Sequence, residues 1–167
     1  MKTRKMRALA LKRAVATEER FLLYTDWRGY GKILDAIGTG HTRVTYDTGR
    51  LELLSPSPEH KISKKLLGSL VEIVLDDRAT GYVAGGSTTF RRKALDKGLE
   101  PDECFWIENC KSMVGVKRWI PRIHPPPDLA IEIEVSESII SRLPILAALG
   151  VPEVWRFRKG VVVPLGL

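Results

Sequence analysis

The stretch PPPDLAIEIEV, residues 125–135, decides the fold. One side of it is apolar, and the other carries Glu132 and Glu134. A period of two residues is typical of a β-strand with one face on the core, and the three prolines favour an extended entry. Two neighbouring carboxylates near the centre of a sheet repel each other unless a cation lies close by. The stretch therefore predicts either an acidic cation site or, as the alternative, a solvated strand face.

The composition is that of one soluble globular domain, with 44% hydrophobic and 28% charged residues in a chain of 167. The net charge of +7 suits a polyanionic partner. Cys104 and Cys110 lack the spacing of metal ligands or disulfides, so we expect free thiols and a cytoplasmic protein. No apolar run approaches the roughly 18 residues of a membrane span, so we expect no membrane association.

Six basic residues precede Ala14 without the pattern of a signal peptide. We therefore expect a basic N-terminal arm at 1–20 and a single domain at 21–167. Helical periodicity and caps predict three helices: 26–38, a long helix that follows 55–60 and ends near 78, and 138–149, with a start near 142 if Pro144 lies in its first turn. Besides the strand at 125–135, the predicted strands are 43–46, 50–54, 82–84, 87–92, 99–107, 154–157 and 161–165. This order predicts an α/β fold with one mixed sheet, covered by helices on one face.

A second acidic strand lies upstream, where Pro101 and Asp102 open the predicted strand 99–107. One carboxylate from this strand and two from its neighbour, Glu132 and Glu134, would form a compact site rich in oxygen. Hard cations such as Mg²⁺ prefer such ligands. The chemistry that such a site serves is hydrolysis at phosphorus. Because the three acids repel one another without a metal, at least one raised pKa is expected, and Asp102→Asn should leave stability unchanged or improved.

Five segments also carry a family resemblance: GRLELLSPSPEH (49–60), GGSTTFRR (85–92), GLEPDECFWI (98–107), PPPDLAIEIEVS (125–136) and LPILAALGVPEVWR (143–156). In this order and spacing they resemble the Uma-two family of restriction endonucleases, which belongs to the PD-(D/E)XK nuclease superfamily. The resemblance covers roughly 21–160. It implies a restriction-endonuclease-like core whose acidic cluster binds Mg²⁺, or Mn²⁺, and hydrolyses DNA phosphodiester bonds.

The resemblance also implies roles for single residues. Asp102 is the aspartate of the Pro-Asp motif, Glu132 is the first acid of (D/E)XK, and both would bind the metal together with Glu134. The third motif position is Glu134 instead of lysine, so the general base is missing. Arg142 falls where many members of the family have a cationic residue. A guanidinium is no base at neutral pH, but it can hold a phosphate.

Three further residues have two readings each. Glu52 lies between two leucines and is either an extra carboxylate near the site or a surface residue. His60 opens the long helix and is either structural or close to substrate and metal. Asp128 also follows a proline, but it lies about 13 Å along the strand from Glu132, so we expect it outside the site.

The sequence thus predicts a Mg²⁺-dependent endodeoxyribonuclease with DNA as partner. The absent motif lysine keeps an alternative open, a catalytically inactive nuclease-fold module that binds DNA or serves another enzyme. A third possibility is a structural scaffold that binds neither metal nor DNA. The sequence stops soon after the last predicted strand, and an open edge strand there would pair with a second copy, so a homodimer is a further expectation.

Overall fold

The computed structural model describes residues 17–38 and 40–167. Four α-helices are present there: α1 (Trp27–Ile37), α2 (Pro58–Asp77), α3 (Cys110–Met113) and α4 (Leu143–Leu149). The strands are β1 (Glu19–Tyr24), β2 (Arg43–Asp47), β3 (Arg50–Ser55), β4 (Val83–Ala84), β5 (Phe90–Arg92), β6 (Lys97–Leu99), β7 (Glu103–Trp106), β8 (Leu129–Glu134), β9 (Glu153–Arg158) and β10 (Val161–Gly166). The predicted basic arm lies outside the described residues up to residue 16, and β1 begins within its last two residues.

The strands form two five-stranded sheets, where the sequence predicted one mixed sheet. The first sheet has the order β1-β3-β2-β6-β5 and is antiparallel throughout. The second has the order β10-β9-β8-β7-β4, in which only β8 and β9 are parallel. A parallel pair needs a crossover connection, and α4 lies in the one between β8 and β9. The α/β class is confirmed, and the architecture is consistent with a restriction-endonuclease-like fold.

Two interruptions of the predicted strands explain why the structure has two sheets where the sequence predicted one. The predicted strand 87–92 shortens to β5 and is followed by a 3-10 turn, Lys93–Leu95. Asp96 then adopts a left-handed conformation with φ of 52°, which aspartate tolerates, and the chain returns as β6. Pro101 has no N–H to give to a strand ladder, and β7 begins only after it. The predicted strand 99–107 is thus divided between the two sheets.

The strand predicted at 125–135 is observed as β8, at the centre of the second sheet. Leu129, Ile131 and Ile133 point to one side, as the alternation predicted. They pack against three residues of α2: Leu67, Val71 and Leu75. On the other side Ala130 joins the core that α4 completes, and Glu132 is only 4% exposed. Both faces of β8 are therefore buried, which rules out a solvated face at Glu132.

The long helix α2 begins with a regular cap. Ser57 accepts a hydrogen bond from the His60 amide at 3.2 Å, and Pro58 occupies the first turn, where its missing N–H costs nothing. Only part of its apolar surface packs on the sheet, and a second apolar stripe faces solvent.

Helix α4 is shorter than the predicted 138–149. It begins at Leu143 with Pro144 in the first turn and ends at Gly150, whose φ of 92° suits glycine. Arg142 is its N-cap residue. The later start near residue 142, expected from the proline, is the one observed.

Helix α1, predicted at 26–38, packs on the first sheet. Asp26 caps it by accepting a hydrogen bond from the Gly29 amide at 2.7 Å. Tyr30 stacks on Tyr46 of β2, with ring centroids 4.6 Å apart.

Among the described residues, no helix is both long enough and apolar enough to span a bilayer.

Candidate active site

Asp102 and Glu132 lie together at the middle of the second sheet. Glu132 is in β8 and points away from α2, because its neighbour Ile131 packs on that helix. Asp102 directly precedes β7, and its amide donates to the Ile131 carbonyl at 3.1 Å. Its Oδ2 accepts a hydrogen bond from the Ile133 amide at 2.8 Å. The two predicted motif acids are thus adjacent and buried, at 3% and 4% exposure.

The guanidinium of Arg142 occupies both oxygens of Glu132. Its Nε donates to Oε2 at 2.6 Å and its Nη2 to Oε1 at 3.1 Å. Nη1 donates to the Thr45 hydroxyl at 2.6 Å, and Nη2 also to the Glu100 carbonyl at 2.6 Å. A bidentate pair of this kind is among the stronger charge-assisted hydrogen bonds. The cation that the sequence placed beside the motif is therefore bonded directly to the motif acid.

Asp102 is also paired with a buried side chain, that of His60. The Nε2 of His60 is 2.7 Å from Oδ1 of Asp102, and the Nδ1 of His60 is 2.5 Å from Oε1 of Glu18. All three side chains are nearly inaccessible. His60 therefore belongs to the cluster, where its contacts are structural, and a role close to substrate or metal stays a prediction.

The carboxylates of Asp102 and Glu18 keep the His60 ring protonated and therefore positively charged. Burial by itself would lower the pKa of His60, but the hydrogen bonds to Asp102 and Glu18 raise it to about 9. Both ring nitrogens therefore carry protons at neutral pH, and both donate. In return, the bonds from His60 hold the pKa of Asp102 below its usual value against the opposing effect of burial. The same bonds lower the pKa of Glu18.

A second ion pair continues the network towards the first sheet. Nη1 of Arg20 in β1 donates to Oε1 of Glu52 at 2.5 Å, and Nη2 lies 3.2 Å from Oε2 of Glu18. Oε2 of Glu52 accepts from the Ile140 amide at 2.8 Å. Glu52 is 2% exposed. Its surface reading is therefore wrong, because this acid is part of the buried network.

Positive and negative side chains are equal in number in this cluster. Its four carboxylates are Glu18, Glu52, Asp102 and Glu132. Its four cations are Arg20, Arg43, His60 and Arg142, with Arg43 Nε 3.8 Å from Asp102. An unpaired buried charge costs several kcal/mol, so such balance is a condition for burying these groups.

Among the acids of the cluster, Glu132 is the one whose charged form is most clearly disfavoured. Burial raises the pKa of Glu132 to about 7, although Arg142 acts in the other direction. The neighbouring charge of Asp102 contributes to the rise. The expectation of at least one raised pKa among the three predicted ligands is confirmed.

Glu134 points to the same side as Glu132 but lies outside this network. It is at the end of β8, and its side chain is 25% exposed. Its nearest cation is Arg158 of β9, with Nε 4.0 Å from Oε2. The structure thus brings Asp102 and Glu132 together with Arg142 and His60, and leaves Glu134 at the rim.

Asp128 has a structural role, in agreement with the expectation that it lies outside the site. Its Oδ2 accepts from the Ile107 amide at 2.6 Å, and its Oδ1 accepts from the Asn109 side chain at 2.9 Å. These bonds fix the turn that follows β7.

Glu18 and Arg20 are the site residues that sequence reasoning missed, since both fell in the predicted arm. Residues 18–23, EERFLL, do not alternate between polar and apolar, so periodicity gave no signal for this strand. Once the strand is formed, Glu18 and Arg20 lie on the same face because they are two residues apart. β1 pairs with β3, opposite Glu52 and its neighbours. That pairing brings the two residues to the cluster.

The cluster, as arranged, does not fit a divalent cation. Carboxylate oxygens are the correct ligand type for Mg²⁺, but both oxygens of Glu132 are bonded to Arg142 and both oxygens of Asp102 accept from His60 and Ile133. Within 17–38 and 40–167, no group of three or more His, Cys, Asp or Glu side chains is placed to hold a metal ion. Arg142 and His60 supply the positive charge that a metal would bring.

A basic groove lies on the same side of the second sheet as Ala130 and Glu132, with a volume of about 950 Å³. Four cationic side chains line it, against one acid, Asp35. They are Arg91, Lys93, Lys117 and Arg118. The loop after α3 and the end of β5 therefore bring separate basic segments of the sequence to one surface.

The tryptophans of this groove are held by packing. Trp119 is 8% exposed and packs edge-on against Phe90, with ring centroids 5.0 Å apart. The indole N–H groups of Trp119 and Trp106 both donate to the Pro125 carbonyl, at 2.8 and 3.0 Å. Rings fixed in this way offer little free surface for stacking on bases. Beside these two packed rings, the groove offers its four cationic side chains to a ligand.

Comparison with known proteins supports the restriction-endonuclease resemblance. No curated protein matches the chain. A family model described as "Putative restriction endonuclease" matches residues 34–161, which include Glu52, His60, Asp102, Glu132 and Arg142. Glu18 and Arg20 precede the matched region. Since the match covers well over half of the sequence, the chain belongs to the Uma2 family.

Proposed function

We propose that this chain binds the DNA backbone as a nuclease-fold domain, and that Arg142 instead of a divalent cation balances its acidic cluster. The observation that carries the proposal is the bidentate bond of Arg142 to Glu132, 2.6 and 3.1 Å long. It neutralises the acid that a catalytic metal would need. The family membership points to nuclease ancestry and to DNA as the ligand.

The surface charge supports DNA as the partner. The chain has 27 basic and 20 acidic residues, and the groove has four cations. Phosphate contacts from Lys and Arg dominate the affinity of non-specific DNA binding. The acids that would repel DNA most, Asp102 and Glu132, are buried and paired. The net field at the groove is therefore attractive to a polyanion.

The protonation states of the cluster argue against hydrolysis in this arrangement. Arg142 stays protonated at neutral pH. With a pKa of about 9 and both ring nitrogens bonded to carboxylates, His60 is also protonated. Asp102 has a lowered pKa and accepts two hydrogen bonds. None of these three groups is placed to take a proton from a water molecule.

The second candidate function is Mg²⁺- or Mn²⁺-dependent cleavage of DNA. Two observations favour it: the description of the family and the adjacency of Asp102 and Glu132 on one side of the sheet. For Asp102, Glu132 and Glu134 to act as metal ligands, Arg142 would have to leave Glu132. Cleavage therefore requires an arrangement that differs from the one described above, in which Arg142 and His60 occupy oxygens of Glu132 and Asp102. We call the described arrangement the closed cluster.

One set of assays separates the two functions. Binding to a labelled duplex is measured over a range of salt concentrations, with Ca²⁺ present and absent. Nicking of a supercoiled plasmid is measured with Mg²⁺ and with Mn²⁺. We expect binding that falls steeply with salt, that does not require Ca²⁺, and no nicking with either metal. Nicking that disappears in Glu132→Gln would establish the second function and overturn the closed cluster.

The groove is tested by charge removal. Each neutralised phosphate contributes about 0.9 to the slope of log affinity against log salt. Lys117→Ala with Arg118→Ala should therefore lower the slope by up to about two, equally for all DNA sequences. The matched control is Lys159→Asn in the β9–β10 turn, because asparagine tolerates the φ of 50° there. No binding of wild-type protein at low salt would remove both functions and leave only a scaffold.

A further inference from the structure

Helix α2 carries a stripe of exposed apolar side chains on the side away from the sheet. Their exposed fractions run from 44% to 68%. They are Ile62, Leu66, Leu70, Ile73 and Val74. At 100° per residue, these five positions fall within an arc of about 120°. The residues that pack on β8, Leu67, Val71 and Leu75, lie on an adjoining arc of the helix, centred about 120° from the stripe.

A contiguous stripe of this kind marks a contact surface. Single exposed apolar residues are ordinary, but continuous apolar patches indicate interaction sites. Burying one such side chain contributes about 1.5–3 kcal/mol. The spacing of three and four residues between Leu66, Leu70 and Ile73 is that of a helix that packs against another helix.

The charges beside the stripe differ between the two halves of the helix. The N-terminal half has three lysines, Lys61, Lys64 and Lys65, and one acid, Glu59, whereas the C-terminal half has three acids, Glu72, Asp76 and Asp77. An antiparallel helix of the same sequence would place each basic half against an acidic half. A parallel arrangement would place lysine against lysine. The net charges of the two halves are thus complementary in the antiparallel orientation only.

We propose that α2 packs against α2 of a second copy of this chain, in an antiparallel pair with its two-fold axis near residue 68. In this register Leu66 contacts Leu70 of the second copy, and Ile62 contacts Val74. Lys65 then lies beside Glu72 of the second copy, whereas Glu59 lies opposite Asp77 of the second copy at each end of the contact. The same surface is used twice, as in an isologous dimer.

The basic arm fits this surface less well than a second copy does. Residues 1–16 contain six basic residues and no acidic residue. They would complement the three acids of the C-terminal half but repel the three lysines of the N-terminal half. A second copy complements both halves. The dimer predicted from the sequence was placed at a C-terminal edge strand, whereas the charges and apolar spacing of α2 favour the helix.

The first test is the mass of the full-length protein in solution. One long helix on each side makes a small interface, so we expect a dissociation constant of about 1 µM and sedimentation runs from about 0.1 to 100 µM. The monomer mass is 18.7 kDa, and the dimer has twice that mass. Leu66→Glu should raise the dissociation constant of the dimer at least about a hundredfold. Ile123→Glu, at a site 70% exposed outside α2, should leave it unchanged.

The second test establishes the orientation. Both variants are made with Cys110→Ser, because Cys110 is the accessible native thiol and Cys104 is buried. A short thiol cross-linker should join two copies of Ser69→Cys, which lies near the axis. It should not join two copies of Ile62→Cys, because antiparallel packing separates them by about 18 Å along the helix.

Three results would overturn the proposal. They are a monomer at all concentrations, a dimer that Leu66→Glu does not weaken, and efficient cross-linking of Ile62→Cys, which indicates parallel helices. Circular dichroism of each variant shows that it is folded. The proposal does not depend on DNA binding, so either can fail alone.

Discussion

Arg142→Met is the substitution that tests the closed cluster most directly. It removes the cation from Glu132 and leaves a side chain of similar length. Glu132 is 4% exposed, so it cannot recover the lost charge partner from water. The hydroxyl of Thr45 and the carbonyl of Glu100 lose their donors as well.

The expected loss follows from these contacts. Removing one partner of a buried ion pair costs about 3–5 kcal/mol. We therefore expect Arg142→Met to lower the free energy of unfolding by about 4 kcal/mol at pH 8. At pH 5 Glu132 is protonated in the variant, and mainly the hydrogen bonds to Thr45 and Glu100 are lost, at about 1 kcal/mol each. The deficit should then be about 2 kcal/mol.

The direction of this pH dependence follows from the raised pKa of Glu132. With Arg142 present the pKa is already about 7, and without it burial acts unopposed and raises the pKa further. An acid with a raised folded pKa loses stability as pH rises above its unfolded value, about 4.3. The deficit of Arg142→Met therefore grows from pH 5 to pH 8.

Urea unfolding at pH 5 and pH 8, followed by tryptophan fluorescence, measures both values. Arg142→Met with Glu132→Gln removes both charges, so the loss of stability that the titration of Glu132 causes between pH 5 and pH 8 should be absent from this variant. Arg158→Met removes the half-exposed partner of Glu134 and should change stability by less than about 1 kcal/mol. A loss below about 1 kcal/mol for Arg142→Met at pH 8, or equal losses at both pH values, would refute the ion pair as a buried charge contact.

Two further predictions concern the other half of the cluster. The folded pKa of His60, about 9, lies above its unfolded value of about 6.5. Its contribution of about 3 kcal/mol to the free energy of unfolding is therefore complete below pH 6.5 and is lost as pH rises through 9. Urea unfolding from pH 6 to 10 should show this loss in wild type and not in His60→Gln. Asp102→Asn should destabilise the fold by about 1–3 kcal/mol in the same assay, because His60 loses a charged acceptor. A neutral or stabilising effect of Asp102→Asn, as expected from three repelling acids, would mean that Asp102 is not held by its hydrogen bonds.

Local sequence predicted the parts of this protein that depend on periodicity. The alternation in 125–135 predicted β8 and the direction of Glu132, because side chains alternate between the two faces of any strand. Proline and glycine predicted the ends of α4. The five family segments predicted the match at 34–161. Glu132 was found as an acid on the polar side of this alternating stretch, and Asp102 as the acid that follows Pro101 in a neighbouring predicted strand.

Local sequence could not predict which face of α2 would be buried. Apolar residues occupy more of that helix than one sheet can cover, and periodicity alone does not indicate which part packs on β8. Nor could it predict the division into two sheets, because the turn at Asp96 depends on β6 pairing with β2 and β5.

The partners of the buried acids were decided by the tertiary structure alone. Glu18 reaches His60 because β1 pairs with β3, and His60 reaches Asp102 because α2 packs on β8; each pair is 42 residues apart in the chain. The sequence contained the charges, and it even placed Arg142 close to the motif. Whether a carboxylate binds a metal ion or is neutralised by an internal cation depends on distances of about 3 Å between such distant residues. Those distances are set by strand register and helix packing, which no local pattern encodes.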